Sequence, residues 1–332
     1  MNVIIRAPFH PDVLEKLRKE LDVTYDSWMD TSKLLSTEEW IDVIQGQNNE
    51  IVIMEADFIP REVFEKATKL KLLGVCRADT HLIDMEAATE YGVPVVNTPA
   101  RNDVAVAELA IGLILSLIRS IPAAHKTVQS GEWLDPTAAY FSWRGTELTG
   151  KTVGIVGFGA IGRQVARRIK AFDTSILVYD PYVDPETIRG TGAEVRNLDD
   201  LMSESDFVTL HVPTAPDAIG LISCERIALM KTTAYLINTA STFVIDMEAI
   251  TQALKEKRIA GAGFDVYETW PVRADSPLLE LDNVVLTPHI GGATQETIIR
   301  YSQMIADDIR RFLSGELPKN MVNPQVWGRD VQ

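Results

Sequence analysis

The sequence predicts an α/β protein built from two doubly wound parallel-sheet domains. Three observations carry that expectation. A chain of 332 residues suits two domains rather than one. Short β-branched runs alternate with helical patterns almost throughout, which implies parallel sheets covered by helices. A glycine-rich turn between a strand and a helix, near residue 157, opens a second such series.

In the first third, Val3-Ile4-Ile5, Ile51-Val52-Ile53 and Val93-Pro94-Val95-Val96 read as buried strands. Helical patterns fall near 11–20, 38–45, 61–67 and 84–91. Residues 102–120 read as one long, nearly all-apolar helix that Asn102 or Asp103 can cap. A helix apolar on most faces is buried, either as core or against another domain or subunit. Residues 121–149 read as an irregular arm carrying Trp133, Tyr140, Phe141 and Trp143, a composition more typical of a subunit contact than of a ligand cage. Beyond it, strands are expected at 152–156, 175–179, 207–210, 234–237, 262–264 and 284–286. Helices are expected at 160–171, 223–230, 246–257 and 294–313.

Apolar residues make up 46% and charged residues 24%, ordinary values for a globular chain. Lys and Arg total 32 against 47 Asp and Glu, a formal charge of −15. Such a surface repels phosphate backbones, so no nucleic-acid partner is expected, and an anionic ligand needs its own local cation. Two cysteines, Cys76 and Cys224, form no disulfide framework and fit a reducing, cytoplasmic setting. The N-terminal apolar run is too short for a signal peptide. The longest apolar stretch, 104–118, is interrupted by Glu108 and falls short of a membrane span. No His/Cys spacing suggests a metal site.

The strongest motif is Gly157-Phe158-Gly159-Ala160-Ile161-Gly162, which follows the strand Val153-Gly154-Ile155-Val156 and opens a helix. In that context Gly157 permits the tight turn, Gly159 lets the backbone approach a pyrophosphate, and Gly162 lets helix and strand pack closely. The helix N-terminus offers free N–H groups to the anion. Asp180, 18 residues beyond Gly162, stands where a ribose-binding acid is expected, and a carboxylate there favours NAD over NADP. His289, followed by Ile290, Gly291 and Gly292, sits at a strand end where ligands bind, and its chemistry suits proton transfer. His10, His81 and His125 read as structural. Asn238-Thr239-Ala240-Ser241 and the segment from Asp265 to Pro271 mark two further strand ends. Asp265 is a candidate for holding a nicotinamide carboxamide, with a helix cap or surface acid as the alternative.

In order along the chain, these motifs resemble the D-isomer-specific 2-hydroxyacid dehydrogenase family, in its phosphoglycerate-dehydrogenase-like branch. The resemblance rests on GVPVVNTP at 92–99, VAEL at 106–109, ELTGKTVGIVGFGAIGR at 147–163, DPY at 180, HVP at 211, NTA at 238, DV at 265 and TPHIGGAT at 287. It implies a flavodoxin-like substrate domain of residues 1–100 plus 293–332 and a Rossmann NAD-binding domain of 101–292. It also implies a homodimer built on the helix and arm of 102–149. The implied cofactor residues are Val106, Gly157, Gly159, Ala160, Ile161, Gly162, Asp180, His211, Val212, Pro213, Thr239, Ala240, Ser241, Asp265, His289, Gly291 and Gly292. The resemblance makes His289 the proton-transfer residue and places Asn102 near the substrate.

Two positions depart from the family pattern. Ser241 stands where the family motif has its catalytic Arg, and Trp270 stands where it has the Glu that pairs with the histidine. The usual glycine-rich substrate loop reads Cys76-Arg77-Ala78-Asp79-Thr80-His81. Arg77, Ala78, Asp79, Ser241 and Trp270 are therefore the expected substrate contacts. Arg77 is the candidate replacement cation, with a surface arginine as the alternative. The expected activity is an NAD-dependent oxidoreductase acting on the CH–OH of an unusual hydroxy acid or sugar-acid derivative. A redox-neutral lyase, dehalogenase or epimerase and a non-catalytic NAD-binding protein are the alternatives.

Overall fold

The computed structural model describes residues 1–328. They form two compact units, one of residues 1–101 with 294 onward and one of residues 102–293.

The first unit is a five-stranded parallel sheet of β1 (Asn2–Ile5), β2 (Asp22–Tyr25), β3 (Ile51–Met54), β4 (Leu72–Val75) and β5 (Val95–Val96). Its order is β2-β1-β3-β4-β5, the flavodoxin-like arrangement. The apolar runs of β1, β3 and β4 are explained by burial on both faces, as parallel sheets require. Ile4, Val52, Met54 and Leu73 pack on one face with Trp40, Ile44 and Phe64. Val3, Ile5, Ile53 and Leu72 pack on the other with Leu17 of the Pro11–Arg18 helix and Tyr301, Ile305 and Ile309 of the Gln295–Leu313 helix. Thr294 starts that last helix by accepting the Thr297 N–H.

The second unit is a seven-stranded parallel sheet of β6 (Thr152–Val156), β7 (Ser175–Tyr179), β8 (Glu194–Val195), β9 (Phe207–Leu210), β10 (Tyr235–Asn238), β11 (Gly261–Phe264) and β12 (Val284–Leu286), in the order β12-β11-β10-β9-β6-β7-β8. The helices Asp103–Ile118 and Ala160–Ile169 cover one face through Ala107, Leu113, Ile114, Val165 and Ile169, against Val153, Ile155 and Val178. Leu201, Ile227, Ile250 and Leu254 cover the other, against Val208, Leu236 and Phe264. Among the described residues, no single helix is long and apolar enough to cross a membrane.

Three expectations need correction. The arm of 121–149 is not irregular: it holds the helices Ile121–Gln129 and Pro136–Ser142, each with an early proline. Asp135 caps the second by accepting the Thr137 N–H at 2.8 Å. Asn102 holds the N-cap position of the long helix but makes no capping bond. Asp103 instead accepts the Val104 N–H at 2.8 Å and the Gln164 side-chain amide at 2.9 Å, tying the two helices together. Finally, β2 was not expected: it is an edge strand with alternating exposure and a polar sequence.

Candidate active site

Chain order in the second unit reverses between β6 and β9, and ligands of open α/β sheets bind outside the strands' carboxyl ends at such a point. Gly157, directly after β6, has φ +92°, and a Cβ there would lie 2.6 Å from the His211 carbonyl oxygen beyond β9. Only glycine fits that turn. A Cβ at Gly162 would lie 2.1 Å from the Gly157 carbonyl oxygen, so helix and turn touch there. Gly159 differs: a Cβ would meet nothing within 4 Å. It stands at the N-cap of the Ala160–Ile169 helix, with exposed Ala160 and half-buried Ile161 beside it. The free space thus lies at a helix N-terminus, where unpaired N–H groups favour an anion.

Asp180 is fixed at the end of β7. Its Oδ2 accepts the Phe158 N–H at 2.7 Å, and its Oδ1 accepts the Tyr182 and Val183 N–H groups at 2.9 and 3.1 Å. Across the crevice, burial pushes the His211 imidazole down to about 3, so the ring is neutral near pH 7. Its Nε2 lies 2.9 Å from the Thr209 hydroxyl, while its buried Nδ1 has no hydrogen-bond partner. Val212 is half-buried beside it and Pro213 is exposed.

Beyond β10, the buried Asn238 side chain shapes the next loop. Its carbonyl accepts the Ala240 N–H at 3.0 Å and its amide donates to the Ser241 carbonyl at 2.9 Å. The Thr239 hydroxyl is buried without a partner. The Ser241 hydroxyl accepts the Phe243 N–H at 3.2 Å and starts a short helical turn.

At the ends of β11 and β12, Asp265 is neither a helix cap nor a surface acid. It is 2% exposed and organises the histidine turn. Its Oδ1 accepts the Thr287 hydroxyl at 2.6 Å and the Ile290 N–H at 2.9 Å, and its Oδ2 accepts the Gly291 N–H at 2.7 Å. His289 sits inside this clasp with φ +54°, a region that costs a residue with a Cβ and is held only where its surroundings enforce it. Cβ atoms at Gly291 and Gly292 would lie 2.9 Å from Asp265 Oδ2 and 2.8 Å from Asn102 Nδ2, so Asn102 reaches the same turn. Val106 packs there as well, 3.4 Å from the Gly291 Cβ position. Trp270 meets the imidazole edge-on, with ring centroids 3.9 Å apart. Together with Tyr267, Leu279, Leu286 and Pro288 they line a mainly apolar cavity of about 440 Å³.

Arg77, Ala78 and Asp79 lie in the first unit, in the loop after β4. Arg77 is loosely paired: its buried Nε approaches a carboxylate without making a hydrogen bond. Its Nε lies 3.5 Å from Asp79 Oδ2, and Asp79 also pairs with His81. Burial raises the Asp79 carboxyl, but the Arg77 and His81 charges outweigh it and leave the group below its ordinary value. Ala78 is exposed and its carbonyl accepts from Asn97. Sequence reasoning missed Glu55 and Arg101, which form a largely buried ion pair in this unit. The signal was available in Glu55 directly following a strand.

The second unit passes the test for a dinucleotide. It offers open space at Gly159, a fixed carboxylate at Asp180, and two buried polar atoms, Thr239 Oγ1 and His211 Nδ1, without partners. Residues 111–291, over half of the chain, match the family model described as "D-isomer specific 2-hydroxyacid dehydrogenase, NAD binding domain". The chain is 39% identical over 324 residues to a D-3-phosphoglycerate dehydrogenase of Methanocaldococcus jannaschii, covering 97% of this chain and 59% of that one. It thus spans about three fifths of that relative's length. It is 42% identical over 278 residues to a glyoxylate reductase of Thermofilum pendens, covering 83% and 81% of the two chains. Its fold matches D-lactate dehydrogenase of Escherichia coli with a TM-score of 0.81 at 27% identity, over 97% of this chain and 100% of that one. The chain belongs to the D-isomer specific 2-hydroxyacid dehydrogenase family, and its cofactor is NAD.

Proposed function

We propose that this member of the 2-hydroxyacid dehydrogenase family is an NAD-dependent oxidoreductase acting on the CH–OH of an unusual hydroxy acid or sugar-acid derivative. The observation that carries the reading is the Asp265 clasp, which fixes a histidine in a costly conformation beside the open strand ends of an NAD-binding unit. A buried carboxylate spent entirely on orienting one turn is a positioning device for a reacting group.

NAD, when bound, supplies the hydride acceptor or donor for the substrate carbon. The residues of this chain do the rest. Gly159, Ala160 and Ile161 border the space for the pyrophosphate, Gly157 and Gly162 hold the turn and the helix close beside it, and Asp180 accepts from the adenosine ribose. His211, Val212 and Pro213 border the adenine side. Thr239, Ala240, Asp265, Gly291 and Gly292 border the nicotinamide side, with Val106 and Asn102. His289 exchanges the proton with the substrate oxygen. Ser241 and Trp270 replace an arginine and a glutamate in the catalytic set. The serine hydroxyl offers one neutral donor where a guanidinium gives a bidentate grip, and the indole offers an apolar wall.

The reading includes a homodimer in a reducing cytoplasm. Trp133, Leu134, Tyr140 and Phe141 are all exposed in the helical arm, with Arg144 stacked on the last two rings, and both cysteines are free thiols. Sedimentation at micromolar concentration is expected to give twice the chain mass, and a monomer would remove that part of the reading. For the activity, purified protein is assayed for NADH oxidation against a panel of 2-oxo acids and oxidised sugar acids. Turnover of at least one is expected, and silence across the panel would overturn the proposal.

A further inference from the structure

The apolar cavity beside His289 lies wholly within the second unit, between the loops that follow β11 and β12. Trp270, Pro271 and Val272 form one wall, and Leu279, Leu286 and Pro288 form the other. Trp270 is 65% exposed and Leu279 47%, so two large apolar side chains face water beside the histidine. The polar groups of the lining are satisfied within the protein. The Tyr267 hydroxyl donates to the Thr287 carbonyl at 2.9 Å, and the Thr287 hydroxyl donates to Asp265. Among the described residues, no Asp, Glu, Lys or Arg lines this cavity. Arg273, the one cation between Tyr267 and Leu279, is bound to Asp275 through Nε and Nη2 at 2.9 and 2.7 Å. It lines a different cavity, together with Glu268.

That composition decides what the cavity can take. A phosphate placed there would lose its hydration and find no cation, and a polyhydroxylated tail would leave its hydroxyls without partners. An apolar group gives up no hydrogen bond and releases the water held against the indole and the two leucines. The space suffices, because a cavity of about 150 Å³ admits benzene and this one measures about 440 Å³. Its position names the occupant. The imidazole of His289 is part of the lining, and the Trp270 ring meets it with centroids 3.9 Å apart. A ligand held at the imidazole by its oxygen therefore reaches the indole with the first atoms of its tail.

Resting on the dehydrogenase reading above, we propose that this cavity is the side-chain pocket of the substrate, with Trp270 as its specificity-determining residue. The substrate class is then a 2-hydroxy or 2-oxo acid with an aromatic or branched aliphatic tail, rather than a phosphorylated or polyhydroxylated one. The test is calorimetry on NADH-loaded protein with D-phenyllactate, D-lactate and D-glycerate, where ligand and coenzyme are both reduced and nothing turns over. D-phenyllactate is expected to bind at least about tenfold more tightly than either of the others, since burying an aromatic ring is worth roughly 10–100-fold in affinity. Trp270→Ala is expected to narrow that advantage to within about threefold, by loosening D-phenyllactate alone. The indole is exposed, so its loss does not endanger folding, and a disturbance of His289 moves all three ligands together and leaves the ratio intact. Leu279→Asp, which sets a carboxylate in the facing wall, is expected to loosen D-phenyllactate at least about tenfold. Equal or weaker wild-type binding of D-phenyllactate, or an unchanged ratio in Trp270→Ala, overturns the proposal. If Trp270→Ala instead changes the sedimenting mass and leaves the ratio unchanged, the exposed rings belong to a subunit contact and the pocket is likewise overturned. NADH oxidation is scored separately with the panel of 2-oxo acids. The binding preference without turnover of any oxo acid removes the dehydrogenase reading and leaves the pocket, whereas turnover without the preference does the converse.

Discussion

The strand ends of the two units are built from different materials. The second unit uses backbone: a positive-φ glycine, two glycine close approaches, and carboxylates that bind N–H groups. The first uses side chains: Arg6 with Asp26, Arg77 with Asp79, Arg101 with Glu55. A backbone-built crevice leaves little room for sequence variation, so it serves a constant ligand. A side-chain-built edge can be rewritten residue by residue.

Four experiments sharpen or break this comparison. The largest effect is expected for His289→Ala. Turnover should fall about 10²–10⁴-fold while NADH affinity, followed by nicotinamide fluorescence, stays near wild type. Unchanged turnover would remove His289 from the chemistry. Next comes the contrast of two glycines. Gly162→Ala forces a methyl against the Gly157 carbonyl and is expected to cost about 1–3 kcal/mol in denaturant unfolding. Gly159→Ala has open space around its Cβ, so it should fold normally and lose NADH affinity. Equal effects of the two on stability would contradict the cradle described.

Asp265→Ala leaves the Ile290 and Gly291 N–H groups without their acceptor and is expected to destabilise by about 1–3 kcal/mol. Turnover should fall as well, since the His289 turn loses its clasp. The smallest effect near neutral pH is electrostatic. The folded pKa of His211, near 3, lies below its unfolded value of about 6.5, so between these values the unfolded chain binds more protons. His211 is then expected to make stability fall with falling pH through that window, by at most about 1.4 kcal/mol per pH unit. His211→Asn should flatten the profile, and an unchanged slope would show that the ring is solvated.

The same contrast explains what was legible in the sequence. Gly157, Gly159, Gly162 and Asp180 could be read because a tight turn, a close approach and a fixed spacing each demand one residue type. The strand spans Thr152–Val156, Ser175–Tyr179 and Phe207–Leu210 could be read because buried parallel strands are continuous apolar runs. The Asp265 clasp could not be read, because its partners lie 22 to 26 residues away on the next strand's loop. Arg77 looked like an available cation because its pairing with Asp79 depends on the local loop conformation rather than on any pattern. The Pro136–Ser142 helix of the arm was hidden by its aromatics, which are exposed and give no amphipathic stripe facing a core.

The most direct test of the whole account is a balance of coenzyme against product. Wild-type protein is given NADH and a 2-oxo acid that it accepts, and nicotinamide oxidation is measured beside chiral analysis of the product. One NADH oxidised for each D-2-hydroxy acid formed is expected. Product formed without net NADH oxidation, or the L-isomer as the product, would contradict it.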